Sequence, residues 1–199
     1  MRILVLADVP DKMLWDHLDK RRLENIDLVI SCGDLSASYL SFLTCFTSAP
    51  ILYIHGNHDT RYEQKPPEGC VCVDGMLYKY KGLRILGLGG SMRYKPGAHQ
   101  YSEKEMMKRI IGLFPKLVWN RGFDILVSHA PASGLGDAQD LAHRGFKSFL
   151  WLMNKYKPKY MIHGHVHKEY SHEFVRERSY ADTKVINAWM SHVIEIEDK

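Results

Sequence analysis

Apolar runs in this chain repeatedly end in a residue that can bind a metal ion. The runs and the residues that follow them are 3–7 with Asp8, 28–30 with Gly33-Asp34, 51–54 with Gly56-Asn57-His58-Asp59, 123–127 with Ser128-His129, and 160–162 with His163-Gly164-His165-Val166-His167. A fold that gathers its strand ends along one edge would turn these scattered positions into a single metal site.

The first third of the chain alternates strand-like and helix-like segments. Residues 3–7, 28–30 and 51–54 predict strands, and the apolar spacing within 11–24 and 40–46 predicts helices. This βαβαβ order favours parallel pairing with helical crossovers. In such sheets a site lies beyond the carboxyl ends of the strands.

The middle and end of the chain predict shorter strands with hairpin turns. Strands are expected at 71–73, 76–80, 83–88, 123–127, 160–162, 174–175, 185–186 and 193–196. Helices are expected at 102–114, where Ser102 and Glu105 can form a capping box, and at 145–156. Residues 93–101 contain Pro96 and Gly97 and predict a loop that overhangs the site.

Size and composition predict one domain spanning residues 1–199, because 199 residues with 45% hydrophobic content suit a single sizeable core. A formal net charge of +4 permits an anionic substrate, while the lack of a basic stripe interleaved with aromatic residues argues against nucleic acid. No run reaches the ~18 apolar residues that span a bilayer, and the first apolar run is too short for a signal peptide.

The cysteines do not have the spacing of a zinc site or a redox pair. They are Cys32, Cys45, Cys70 and Cys72. We interpret Cys32 and Cys45 as small core residues, and we expect a reducing, cytoplasmic setting.

Crowded carboxylates and imidazoles repel or serve no structural purpose unless a cation lies among them. Asp34 can bridge two ions, Asn57 offers an amide oxygen, and the pair His165 and His167 can face neighbouring ions. Mixed imidazole and oxygen ligands favour Mn, Fe, Zn or Co over Ca. Two such ions roughly 3.5–4 Å apart form a general clamp for phosphoester hydrolysis, in which a bridging hydroxide attacks phosphorus in line.

These motifs together resemble the calcineurin-like metallophosphoesterase superfamily, and the resemblance covers nearly the whole chain in order. It implies a mixed α/β fold, a four-layer αββα sandwich, with a dinuclear metal site. The implied ligands are Asp8, Asp34 and His167 for one ion and Asp34, Asn57, His129 and His165 for the other. His58 is implied to contact the phosphate and protonate the leaving group, while Asp59 orients and charges His58.

One position departs from the family pattern. The first motif of the family is Asp-x-His, whereas this chain has Asp8-Val9-Pro10. The first ion therefore loses an imidazole, and three outcomes are open. Water fills the gap, another side chain such as Asp11 turns in as a ligand, or only the second ion is well held. The intact remaining ligands favour a working first site of reduced strength.

The sequence thus predicts a metal-dependent phosphoesterase, with a phosphodiester preferred as substrate. A phosphomonoesterase or protein phosphatase, and a metal-binding regulatory scaffold with reduced turnover, are the alternatives. Candidate groups for binding the substrate phosphate are Arg61, Arg93, His143 and Arg144, with a solvated surface role as the alternative for each. His55 and His163 are expected to pack or to hydrogen-bond the backbone.

Overall fold

The computed structural model describes residues 1–167 and 174–196. The strands are β1 (Arg2–Ala7), β2 (Leu28–Ser31), β3 (Ile51–Tyr53), β4 (Cys70–Cys72), β5 (Met76–Tyr80), β6 (Leu83–Leu88), β7 (Ser91–Met92), β8 (Gln100–Tyr101), β9 (Ile125–Ser128), β10 (Tyr160–His163), β11 (Glu177–Tyr180), β12 (Thr183–Asn187) and β13 (Met190–Glu195). The α-helices are α1 (Ala37–Thr44), α2 (Glu103–Trp119) and α3 (Lys147–Tyr156), and 3₁₀ helices cover Lys20–Leu23 and Asp59–Glu63.

The strands form two main sheets. The first has the order β13-β1-β2-β3-β4, in which β1 to β4 are parallel and β13 runs antiparallel to β1. The second has the order β11-β12-β10-β9-β6-β5, with a parallel centre and an antiparallel strand at each edge. A short third sheet pairs β7 with β8. In both main sheets the parallel strands direct their carboxyl ends toward one edge.

Three apolar clusters define four layers. The inner cluster joins the facing sides of the two sheets, with Ile30 and Leu52 from the first sheet and Val127 and Ile162 from the second. A second cluster packs α2 and α3 on the outer side of the second sheet, and a third packs α1 on the outer side of the first. Central strands are therefore buried on both faces, which explains their continuous apolar runs. The result is the predicted αββα sandwich.

Most predicted elements are confirmed, but residues 11–24 do not form the predicted α-helix. The side chain of Asp11 accepts a hydrogen bond from the Met13 N–H at 2.9 Å, and Asp19 accepts one from the Arg21 N–H at 3.2 Å. Such local bonds favour turns over a helix, and only Lys20–Leu23 becomes helical, as 3₁₀.

Three smaller expectations also change. The capping box of Ser102 and Glu105 forms, but α2 continues to Trp119 instead of ending at 114. Residues 174–175 precede a strand instead of forming one. Cys32 is buried as expected, whereas Cys45 is exposed. Among the described residues, no helix is both long and apolar enough to cross a membrane.

Candidate metal centre

The predicted ligands lie at the carboxyl ends of the parallel strands, as the sheet topology requires. Asp8 follows β1, Asp34 follows β2, Asn57 follows β3, His129 follows β9 and His165 follows β10. A cavity of about 340 Å³ opens at this edge. Its lining residues are Asp8, Asp34, Asn57, His58, Tyr94, Ala142, His143, His165 and His167. Both main sheets thus contribute side chains to one cavity.

His129 is fully buried and lies against two of the residues that line this cavity, Asp34 and Asn57. The Nε2 atom of His129 lies 3.2 Å from Oδ2 of Asp34 and 3.1 Å from Oδ1 of Asn57. Ligand atoms of Asp34, His129 and His165 all lie within 4.8 Å of one another. Residues 34, 129 and 165 are distant in sequence, so the fold alone brings them within reach of one ion.

A backbone carbonyl orients the His129 ring. Nδ1 of His129 donates to the carbonyl oxygen of Cys32 at 2.7 Å, which leaves Nε2 facing the two oxygens of the site. Burial alone would lower the pKa of His129, but the adjacent Asp34 carboxylate raises the pKa above its ordinary value. Burial alone would raise the pKa of Asp34, but the positive charge of His129 outweighs the effect of burial and lowers the pKa of Asp34 below its ordinary value.

His165 is oriented in a similar way. Its Nε2 donates to the carbonyl oxygen of Ala142 at 2.7 Å, which leaves Nδ1 as the acceptor atom of the ring. Its ring centroid lies 4.8 Å from that of His129. Burial, with the positive charge of His129, lowers the pKa of His165 to about 3. The imidazole is therefore neutral, which is the form that binds metals.

The Gly164-His165 turn docks directly on Asp8. Both carboxylate oxygens of Asp8 accept the backbone N–H of His165 at 3.0 Å. A Cβ on Gly164 would lie 2.6 Å from the Cβ of Ala7 and 2.9 Å from Oδ2 of Asp8, so only glycine fits. His167 Nε2 lies 3.7 Å from Oδ1 of Asp8. The first predicted ligand set is therefore partly assembled.

Three of the predicted ligands have a left-handed backbone. Their φ angles are 67° for Asp8, 58° for Asp34 and 68° for His165. Non-glycine residues adopt this conformation at a cost, and such residues cluster at functional sites. Here each follows the end of a strand and turns its side chain toward the shared edge.

Asp59 has different partners from those expected. Its Oδ2 accepts the backbone N–H groups of Gly56 at 2.7 Å and Asp34 at 2.8 Å, so it fastens two strand-end loops together. Among the described residues, no hydrogen bond joins Asp59 to the His58 side chain: Asp59 is buried at the start of a 3₁₀ turn, whereas His58 is exposed and lines the cavity. Asp59 thus positions these loops, and its orienting role on His58 stays a prediction.

The position of Asp11 decides one of the alternatives for the missing histidine. Oδ2 of Asp11 pairs with Nη1 of Arg22 at 2.7 Å and accepts the hydroxyl of Ser191, and Asp11 is 4% exposed. The side chain is held by these partners and does not line the cavity. Asp11 therefore does not replace the imidazole that Pro10 removes, which leaves water, another side chain or a weaker first site.

Only one of the four candidate substrate contacts lines the cavity, and that residue is His143. Arg61 lies in an adjacent depression that also includes His58. Arg93 pairs with Glu105 at 2.9 Å and donates to the Gln100 carbonyl at 3.2 Å, which directs it toward α2. Arg144 is exposed and outside the lining within residues 1–167 and 174–196.

Sequence reasoning missed Tyr94 as a cavity residue. Its hydroxyl lies 3.5 Å from Nδ2 of Asn57. The sequence could have indicated Tyr94, because it lies in the loop of residues 93–101 that is predicted to overhang the site and is the one tyrosine there before Tyr101. His163 bonds the Gly164 carbonyl at 3.0 Å, as expected for a histidine bonded to the backbone, whereas His55 pairs with the Asp74 carboxylate.

The arrangement fits a bound divalent cation. A positively charged His129 ring faces a carboxylate and an amide oxygen, with the neutral ring of His165 beside it. Replacing the Nε2 proton by a metal ion would leave every oxygen with a positive partner, and the donor set is one that borderline metals accept.

A two-sheet α/β sandwich with this carboxylate, amide and imidazole cluster defines a class of metal-dependent hydrolases. Residues 1–169 match the family model described as calcineurin-like phosphoesterase. The chain belongs to that family. A search of curated protein sequences finds no match.

Solved structures with the same fold include TT1561 of Thermus thermophilus, which is 16% identical in sequence with a TM-score of 0.65. The match covers 94% of this chain and 88% of the TT1561 chain. GAP50, described as the anchor in the inner membrane complex of Plasmodium, is 14% identical in sequence with a TM-score of 0.59. That match covers 94% of this chain and 70% of the GAP50 chain. The 5'-nucleotidase from Candida albicans is 14% identical with a TM-score of 0.56. That match covers 94% of this chain and 45% of the nucleotidase, so the chain spans less than half its length.

Proposed function

We propose that this protein is a metal-dependent phosphoesterase whose preferred substrate is a phosphodiester. The observation that carries the proposal is the convergence of Asp34, His129 and His165 within 4.8 Å beside a cavity of about 340 Å³. We expect two divalent ions from the group Mn, Fe, Zn and Co. Asp8, Asp34 and His167 would hold one, and Asp34, Asn57, His129 and His165 the other.

The residues of the chain would divide the work as follows. Bound cations would supply Lewis-acid activation of the ester and of the attacking water. Cys32 and Ala142 hold the two imidazoles in the orientation that presents a nitrogen lone pair to the site. His58 lines the cavity, and its side chain makes no capping hydrogen bond to the 3₁₀ helix that follows it. That side chain would protonate the leaving oxygen.

The charge of the cavity supports a diester over a monoester. A monoester dianion carries more charge than a diester and needs more cationic side chains around it. Within the described residues the lining contains no arginine or lysine, and its only candidates for a positive charge are histidines. Bound metal ions with His58 and His143 match the single charge of a diester better.

The test is hydrolysis of bis-p-nitrophenyl phosphate and p-nitrophenyl phosphate by the metal-depleted protein after addition of Mn, Fe, Zn or Co. We expect turnover of the diester to exceed that of the monoester and Asp34→Asn to reduce it by about 100-fold or more. The matched control is Asp182→Asn, because the Asp182 side chain is 71% exposed and pairs with Lys157 on the surface, at 3.6 Å. Faster monoester hydrolysis would favour the phosphomonoesterase or protein phosphatase alternative.

One observation favours a second candidate, a metal-binding scaffold. Pro10 removes a ligand of the first ion, and Asp11 is held away from the gap. The fold also serves a protein described as an anchor, GAP50. Cation binding without turnover of either ester, with every metal tried, would support the scaffold over the enzyme.

We also propose that residues 1–199 form one domain. Strands β12 and β13 complete the second and first sheets respectively, so the end of the chain supports both layers. A reducing, cytoplasmic setting remains our proposal, and the free thiols of the cysteines are consistent with it.

A further inference from the structure

A second cavity borders the catalytic cavity at His58, which lines both. Its volume is about 270 Å³, and its lining comes from two segments, 35–38 and 58–65. In the proposed reaction His58 protonates the leaving oxygen, so the leaving group of the substrate lies on the His58 side of the reacting phosphate. This second cavity is on that side, and we call it the leaving-group cavity.

The two cationic residues of the leaving-group cavity have no partner within the protein. Arg61 and Lys65 both line it, and the Lys65 N–H donates to the Arg61 carbonyl oxygen at 2.9 Å, which places the two residues one turn apart. Neither side chain forms an ion pair or a hydrogen bond within residues 1–167 and 174–196. Neighbouring cations repel each other, and a bound anion would remove that repulsion.

Asp59 is the one acidic residue in the described lining of this cavity, and it does not neutralise the two cations. The residue is 5% exposed, and its Oδ2 accepts the backbone N–H groups of Gly56 and Asp34. The carboxylate is therefore engaged with the loops after β2 and β3. Arg61 and Lys65 thus leave the cavity with a positive charge.

Hydroxyl and apolar groups complete the lining. The exposed Ser38 hydroxyl lies 3.1 Å from the hydroxyl of Ser36. Leu35 and Tyr62 are buried, and the Tyr62 hydroxyl donates to the Leu35 carbonyl oxygen. The cavity therefore combines buried apolar residues with exposed cationic and hydroxyl groups, which suits an anionic group on a short organic chain.

We propose that the leaving-group cavity binds a second phosphate group, carried by the alcohol that leaves when the diester is cleaved. This inference rests on the proposed function, because it uses the position of the leaving group beside His58. Arg61 and Lys65 donate to the oxygens of that phosphate, and the guanidinium fork of Arg61 matches two of them. The described lining of the catalytic cavity has no arginine or lysine, so these cations select the leaving group and not the phosphate under attack.

The first test compares diesters that differ only in the second phosphate. The probes are thymidylyl-thymidine and the same dinucleotide with one additional phosphate on its 5' end or on its 3' end, and chromatography measures cleavage of the internal diester. We expect kcat/KM for one phosphorylated probe to exceed that for the plain dinucleotide by about 10-fold or more, as a charged hydrogen bond supplies. Arg61→Gln and Lys65→Gln should each remove most of this preference.

The matched control is Lys104→Gln, which should keep the preference. Lys104 is exposed on α2, which packs on the second sheet, whereas the leaving-group cavity adjoins α1 on the first sheet. Circular dichroism and metal content check that each variant is folded and that its metal centre is intact.

The second test does not depend on turnover. Calorimetric titration of the metal-depleted protein with glycerol 3-phosphate measures binding of a phosphorylated alcohol when no metal ion can hold the phosphate. We expect saturable binding that Arg61→Gln and Lys65→Gln each weaken by about 10-fold and that Lys104→Gln does not change. This binding pattern without hydrolysis of any ester would refute the proposed function and support the phosphate site.

Two results would overturn the inference. One is that folded Arg61→Gln and Lys65→Gln bind glycerol 3-phosphate as tightly as the wild-type protein. The other is that the wild-type protein hydrolyses bis-p-nitrophenyl phosphate but shows no preference for either phosphorylated dinucleotide.

Discussion

The carboxylate of Asp59 accepts the backbone N–H of Asp34 at 2.8 Å, which places the buried Asp59 next to the half-buried Asp34. Burial, with the negative charge of Asp34, raises the pKa of Asp59 to about 6. The same carboxylate accepts the N–H of Gly56 at 2.7 Å. Asp59 therefore joins the loops after β2 and β3, and its protonation affects the stability of the site without metal.

This pairing predicts a pH-dependent stability of the metal-free protein. The folded-state pKa of Asp59 lies above the unfolded value of 3.8. The stabilising contribution of its proton is thus complete below pH 3.8 and is lost as the pH rises through about 6. Between about pH 4.5 and 7.5 the wild-type protein should lose roughly 2 kcal/mol of unfolding free energy that Asp59→Asn, which stays neutral, does not lose.

The measurement is urea unfolding in the presence of a chelator at both pH values. Asp182→Asn serves as the control because that side chain is exposed and should reproduce the wild-type profile. Parallel pH profiles for wild type and Asp59→Asn would show that Asp59 has no raised pKa.

Gly56→Ala should disrupt the metal centre by steric conflict. A Cβ at residue 56 would collide with the Asp34 carboxylate, which is confined by the N–H of His58 at 2.8 Å. We expect a loss of about 1–3 kcal/mol in stability and weaker metal binding. Gly112→Ala is the control, because nothing lies within 4 Å of a Cβ there and alanine favours the helix. Unchanged metal affinity in Gly56→Ala would show that the loop moves freely.

Much of this architecture follows from simple sequence patterns. The apolar runs at residues 28–30 and 51–54 predicted buried parallel strands. These runs are continuous because both faces of the strands pack against apolar layers. Parallel strands share one carboxyl edge, so the convergence of Asp34, Asn57 and His129 followed from topology.

Other features depend on contacts that residue identity does not encode. The backbone carbonyls of Cys32 and Ala142 orient the two imidazoles, and every residue type has a carbonyl. The segment 11–24 has helical spacing, yet Asp11 and Asp19 hydrogen-bond nearby N–H groups and stabilise turns. Arg93 pairs with Glu105 because the first turn of α2 lies beside the loop of residues 93–101, and only the three-dimensional packing reveals this.

Pro10→His should strengthen the first metal site. The substitution restores an imidazole close to Asp8, where the described structure offers no substitute from Asp11. We expect metal binding at that site to tighten by about 10–100-fold, as measured by calorimetric titration with Mn²⁺ or Zn²⁺. Pro10→Ala is the matched control, since it removes the proline ring without adding a ligand. Equal affinities in the two variants would mean that the gap is already filled.

His58→Ala should keep its metal ions while losing turnover. The backbone N–H of His58, and not its side chain, donates to Oδ1 of Asp34 at 2.8 Å, so alanine preserves the support of that ligand. The side chain lines the cavity and is expected to protonate the leaving oxygen, a contribution of about 10²–10⁴-fold in kcat. A stable leaving group such as p-nitrophenolate needs little protonation, so the loss should be smaller for bis-p-nitrophenyl phosphate than for an alkyl diester. Metal content by elemental analysis and kcat for both esters check the prediction, with His17→Ala as the control. An equal loss for both esters would assign His58 to phosphate binding instead of proton transfer, and an unchanged rate would remove it from the reaction.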